Sequence, residues 1–199
     1  SIEIRLSEGQ TTKLNQQARE QKTTTSILFQ SCWAKILSEL SGEQEVFFGV
    51  TISGRENAYP GIDQVVGPLL NIHPIRISID PNKSLNQTIR SIAALQVDIL
   101  SLSRGCLHPV EPPFQSTPIN HLESAIYFEN YPSQSSITDS TDSVLRIANS
   151  TITESNEFPI SLFVTPGSRY HIKLIFDTQL ITLTDSRTLA NAIETNLSF

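Results

Sequence analysis

The run Val46-Phe47-Phe48-Gly49-Val50-Thr51-Ile52 is almost continuously apolar and bounded by polar residues. It is too short for a helix of its own and rich in β-branched and aromatic residues, so it predicts a strand buried on both faces, inside a sheet. Such a strand needs layers to cover it, and the chain supplies helical patterns on either side. Ahead of it, Ile27, Leu28, Cys32, Ile36, Leu37 and Leu40 recur at helical spacing from about Thr25 to Leu40, with Gly42 as the stop. This helix belongs to the core, and Trp33, near the edge of its stripe, suits a ring packed on a neighbouring element. After it, Leu85, Ile89, Ile92, Ala93, Val97, Ile99 and Leu100 give the longest amphipathic helix, which fades near Arg104.

The rest of the chain fills in around these elements. Ile2 to Leu6 alternates as a strand, and Ser7 with Gln10 forms a capping box opening a polar helix to about Gln21, whose apolar contacts are chiefly Leu14 and Ala18. Ser84 with Gln87 repeats the box. Ser53 to Asn71 is rich in Gly and Pro and reads as loop, and His73 to Ile79 returns to strand. The prolines between Gly105 and Leu122 exclude a helix or central strand there. Ser124 to Tyr131 and Val144 to Ile152 alternate around a Ser/Thr/Asp-rich loop, Pro132 to Asp142. Phe158 to Thr165 and Tyr170 to Asp177 form a hairpin through Pro166-Gly167-Ser168, and a helix from about Asp185 to Leu197 ends the chain. Helices and strands in this order predict an α/β fold: a two-layer sandwich with a mixed β-sheet and helices packed mainly on one face.

Of the 199 residues, 38% are hydrophobic and 17% charged, enough for one sizeable core, and the net charge of -6 is spread along the chain. Nucleic-acid binding needs clustered Lys and Arg, which are absent. No apolar stretch approaches the roughly 20 residues of a membrane span, so the expectation is a soluble, cytoplasmic protein. Cys32 and Cys106 are too sparse for a disulfide scaffold and are read as reduced thiols. Methionine is wholly absent, which predicts a single domain excised from a larger polypeptide, residues 1–199.

Common reaction centres are missing. His73, His108, His121 and His171 stand alone, with no His-x-x-x-His or Cys-x-x-Cys, so no metal is expected. Neither phosphate-cradling glycine loop nor Gly-x-Ser-x-Gly occurs. Read from the residues alone, Gly54, Gly61 and Gly67 permit turns. Arg55 is either a structural pair or, through two aligned donors, a phosphate contact. Asn71 caps its loop, Arg76 pairs with an acid across the sheet, and His73 and His108 are surface or internally satisfied histidines.

Ser53-Gly54-Arg55, followed by Val66-Gly67-Pro68-Leu69-Leu70-Asn71-Ile72-His73-Pro74-Ile75-Arg76, resembles the condensation-domain family of nonribosomal peptide synthetases, in which Ser-Gly-Arg ends a buried strand and Val-Gly-x-x-x-Asn-x-x-Pro-x-Arg re-enters the sheet. Further on, Tyr127-Phe128-Glu129-Asn130-Tyr131-Pro132 is similar to the family's Phe-Glu-Asn-Tyr-Pro strand. The family's catalytic His-His-x-x-x-Asp-Gly is not in this chain; it belongs to the first of two lobes. The resemblance therefore implies the C-terminal lobe, of chloramphenicol-acetyltransferase-like fold, and an inactive piece by itself.

By that resemblance, Ser53, Gly54, Arg55, Gly61, Gly67, Asn71 and Arg76 line the floor and acceptor side of the tunnel where amide bonds form. Glu129, Asn130 and Tyr131 stand at the lobe junction, with no catalytic residue in this lobe. Partners would be the N-terminal lobe, peptidyl or aminoacyl carrier proteins and an adjoining adenylation domain. No cofactor is bound directly; substrates ride on the carriers' 4'-phosphopantetheine. Departures are Ile72-His73 where members commonly carry Thr-Leu or Thr-Val, and only faint counterparts of the later motifs. A noncatalytic platform, or the equivalent lobe of an epimerisation or cyclisation domain, shares this architecture.

Overall fold

A computed structural model describes residues 1–55, 60–67, 69–103, 122–129 and 158–197. Its sheet comprises β1 (Ile2–Arg5), β2 (Glu45–Ile52), β3 (Asn71–Ser78), β4 (Ser124–Phe128), β5 (Ile160–Thr165) and β6 (His171–Phe176), in the spatial order β1-β6-β5-β4-β2-β3. β2, β4 and β5 are parallel, while β3, β6 and β1 attach antiparallel. The mixed sheet is as expected. β3 lies at an edge, where Pro74, lacking an N–H, costs the ladder least.

Alternation assigns the faces. Ile4, Val46, Phe48, Val50, Ile75, Ile77, Ile126, Leu162, Val164, Ile172 and Leu174 form one core with the helices α1 (Glu8–Glu20), α2 (Thr25–Ser41), α3 (Leu85–Ser103) and α4 (Leu183–Leu197). Each large side chain fully buried there contributes about 1.5–3 kcal/mol. α2 sits at the centre, against the sheet and all three other helices, so Phe29, Gln30, Ser31 and Ala34 are buried beyond the stripe visible in the sequence. Trp33 is fully enclosed and its indole N–H donates to Ser124 Oγ on β4 at 3.3 Å.

Local signals set the ends of these helices. Ser7 and Gln10 close both arms of the capping box, and Gly42 terminates α2 in the left-handed region at φ 73°. The second box is half made: Ser84 N–H donates to Gln87 Oε1 at 2.9 Å, but Gln87 N–H turns to the Ser84 carbonyl. α4 starts two residues before the expected Asp185, where Thr182 Oγ1 accepts from Asp185 N–H. The expected double burial of β2 fails at one place. Phe47 is 54% exposed on the face away from the helices, beneath the Arg76 guanidinium at 5.9 Å. The predicted loop at 132–142 and strand at 144–152 lie outside the described residues, as do Cys106, His108 and His121. No helix among the described residues is long and apolar enough to cross a membrane.

Candidate functional site

Three parallel strands, β2, β4 and β5, end at the same side of the sheet, and the chain leaves them there as Ser53, Glu129 and Thr165. In open α/β sheets the carboxyl ends of parallel strands are where loops diverge and ligands are received. Two contacts tie these ends together. Phe128 N–H donates to Thr51 Oγ1 at 3.4 Å, and Thr165 Oγ1 donates to Glu129 Oε2 at 2.8 Å. Glu129 N–H also donates to the Val164 carbonyl, so its backbone continues the β4–β5 ladder past the strand end. Thr165 is a site neighbour that sequence reasoning missed; no linear spacing links it to Glu129, since the pair forms only when β4 and β5 align.

The turn after β2 is sterically determined. Gly54 has φ 69°, and a Cβ there would stand 2.1 Å from the Leu69 carbonyl oxygen, so only glycine lets the two backbones approach. Arg55 N–H donates to Ser53 Oγ at 3.1 Å. The Arg55 guanidinium folds back onto the same connection: its Nη1 donates to the carbonyls of Ile62 at 3.0 Å and Val65 at 2.9 Å. Just ahead of the first acceptor, Gly61 at φ 83° opens a single 3-10 turn, Ile62–Gln64. Gly67 has neither a positive φ nor any atom within 4 Å of a Cβ, so nothing in the geometry requires glycine there.

Beyond the turn, Val65, Val66 and Leu70 face solvent, Val66 being 100% exposed. Asn71 begins β3 opposite Ile52, and its Oδ1 accepts from Ile72 N–H at 3.0 Å, a local backbone cap. Ile72, one of the two departures from the family pattern, lies over the face away from the helices: its Cγ2 is 2.6 Å from where a Gly49 Cβ would stand. Gly49 is thus small because Ile72 occupies that volume. His73, the other departure, faces the core side and is half-buried, which lowers its pKa by desolvation. Half-buried, it remains partly open to solvent at the surface.

The structure separates Arg76 from this group. At about 3.4 Å per residue it lies about 17 Å along β3 from Asn71, where it pairs with Glu45 Oε1 at 2.8 Å across the β2–β3 ladder. That is the ion pair with an acid expected from the sequence. Asn130 and Tyr131 fall outside the described residues.

Comparison with known proteins assigns the family: the condensation-domain family matches residues 1–198. The chain belongs to the condensation-domain family of nonribosomal peptide synthetases. This condensation-domain chain is 34% identical over 177 residues to one of the linear gramicidin synthase proteins of Brevibacillus parabrevis, covering 87% of itself and 2% of that protein. It is 30% identical over 167 residues to vanchrobactin synthetase of Vibrio anguillarum, covering 84% of itself and 6% of the relative. Among solved structures, the first condensation domain of the calcium-dependent antibiotic synthetase, in complex with a substrate analogue, superposes with a TM-score of 0.76 at 14% identity, over 98% of this chain and 43% of that one. A four-domain nonribosomal peptide synthetase bound to AMP and glycine gives 0.73 at 14% identity, over 99% and 16%. The condensation-domain chain therefore spans a small part of its curated relatives and less than half of a solved condensation domain, and at these identities the structures speak to its fold, a mixed sheet with helices of chloramphenicol-acetyltransferase-like type.

Proposed function

We propose that the chain is the C-terminal lobe of a condensation domain and supplies the floor and acceptor side of a tunnel for amide-bond formation. One observation carries the reading: β2, β4 and β5 end on the same side of the sheet, where β2 runs into a glycine-enforced, arginine-tied turn that is open to solvent at Val65 and Val66, at the position of the Ser-Gly-Arg motif. Ser53, Gly54, Arg55, Gly61, Gly67 and Asn71 form the floor in this reading, Arg76 anchors the strand that returns from it, and Glu129 leads to the lobe junction with Asn130 and Tyr131.

The reaction joins two carrier-bound substrates. The acceptor's amine nitrogen attacks the donor thioester carbonyl, the C–N bond forms, the C–S bond breaks, and the donor's phosphopantetheine leaves as the thiol, taking up the proton the amine gives away. Holding the two tethered groups at attack distance removes about 7–11 kcal/mol of barrier at best. The general base would come from the companion lobe, because His-His-x-x-x-Asp-Gly does not occur in these 199 residues. Carrier proteins, the N-terminal lobe and an adjoining adenylation domain are the partners, and phosphopantetheine enters only on the carriers.

The test measures dipeptidyl-carrier product from this chain with and without an N-terminal condensation lobe, both carriers loaded. Product is expected only when both lobes are present. Turnover by the chain alone, or none from the pair, refutes the division of labour.

A further inference from the structure

We infer that Arg55 is a positioning residue that holds the acceptor-side floor in its working shape, not a tether for the carrier's phosphate. This deepens the proposed function and rests on it. A phosphate tether needs the flat guanidinium fork presented outward with paired donors free. Here both Nη1 donors are committed, to the carbonyls of Ile62 at the start of the 3-10 turn and Val65 just after it, so the end-on Nη1–Nη2 fork is taken up by the loop itself. Among the described residues, the other backbone hydrogen bonds of that stretch are those of its own short turn: Gln64 N–H to the Gly61 carbonyl at 3.0 Å and Val65 N–H to the Ile62 carbonyl at 3.2 Å.

The turn also needs an anchor because of what it displays. Val65 and Val66 are held out in water, against their own solvation preference, and a loop left to itself would fold them down. Arg55 starts from a rigid base: Gly54 is pressed against the Leu69 backbone, and Arg55 N–H is fixed by Ser53 Oγ. The guanidinium therefore transmits the position of the β2 end to the turn. Its charge-assisted bonds to carbonyls fix shape and leave carrier affinity to other groups.

The experiment uses the intact synthetase with both carriers loaded, and compares wild type with Arg55→Met, which keeps the aliphatic stem and removes every donor, and Arg55→Lys, whose one ammonium can still reach both carbonyls. Steady-state turnover is read against acceptor-carrier concentration, and amide exchange is read at residues 62–66. The expectation for Arg55→Met is a kcat lower by about 10- to 100-fold, an unchanged KM for the acceptor carrier and faster exchange at 62–66, with partial recovery of both kcat and protection in Arg55→Lys. A raised KM with kcat preserved overturns the inference, because the arginine then holds the carrier. Faster exchange with unchanged turnover also overturns it, since the shape of the turn would not matter to the reaction. Exchange at 62–66 unaltered in Arg55→Met removes the anchoring role itself. Absence of bond formation by the wild-type synthetase is a different failure: it strikes the proposed function and its floor together, whereas loss of protection in Arg55→Met would still show the turn to be anchored.

Discussion

Gly54 and Gly61 form a natural pair for isolating one steric contact, because both have positive φ and only one is crowded. Replacing Gly61 by alanine places a Cβ at φ 83° with nothing within 4 Å, so its cost is the left-handed conformation alone, about 1–2 kcal/mol. Replacing Gly54 incurs the same conformational cost at φ 69° and sets its Cβ 2.1 Å from the Leu69 carbonyl oxygen. Neighbouring Cβ contacts essentially never fall under 3.0 Å, so the two backbone segments must separate by about 1 Å, at about 1–3 kcal/mol on the scale of overpacking elsewhere. The sum for Gly54→Ala is about 2–5 kcal/mol, capped by whatever it costs to release the turn from the sheet. Denaturant unfolding of the two variants measures the difference. Gly54→Ala should lower the midpoint markedly more than Gly61→Ala, with a melting temperature lower by about 2–4 °C for each kcal/mol. Equal losses within about 0.5 kcal/mol would refute the reasoning, since the close approach to Leu69 would then carry no energetic weight.

Further outcomes follow from buried groups. Trp33→Phe removes the donor to Ser124 Oγ and should cost about 1–3 kcal/mol; adding Ser124→Ala in that background should cost less than it does in wild type, a double-mutant cycle that additive losses would contradict. For His73, burial favours the neutral ring, so its folded pKa lies below the usual 6.5. The unfolded chain then binds the proton first, and stability is full above pH 6.5 and falls as pH drops from there through the folded value; a His73→Leu variant should flatten that slope, and an unchanged slope would exclude the histidine as its source. The Cys32 thiol is pushed up to about 12, chiefly by burial, so in a Cys106→Ser background thiol reagents should modify the chain only after unfolding, and prompt native labelling would contradict its enclosure.

The legible parts of the fold were those written in neighbouring residues. Ser7 to Gln10, Gly42 after α2 and the Pro166-Gly167-Ser168 turn each act within a few positions, and each marks an element boundary where expected. Apolar periodicity located β2, β3 and the helices for the same reason. It gave α2 only a stripe because period counts apolar side chains. The burial of Gln30 and Ser31 comes instead from tertiary packing, since α2 lies against the sheet and the three other helices. Strand order is likewise non-local; Pro74 was a local signal for one part of it, since a proline within a strand marks an edge, and it stands on the edge strand β3 opposite Gly49.

The site divides along the same line. Motif residues could be placed on a turn from spacing, and the two glycines with positive φ are where turn chemistry puts them. The sequence left Arg55 open between phosphate contact and structural pair, because a guanidinium on a loop has many possible acceptors and its choice depends on how the backbone comes back to meet it. Once Gly54 brings the chain against Leu69, the carbonyls of Ile62 and Val65 lie within reach, and the two bonds from Nη1 are what the proposed positioning role rests on. The glycine and the arginine are therefore one device: the first sets the direction of return, the second fixes where the return stops. Weakening either should loosen the same amides at 62–66, and if Gly54→Ala left them as protected as in wild type, that dependence of the arginine on the glycine would be wrong.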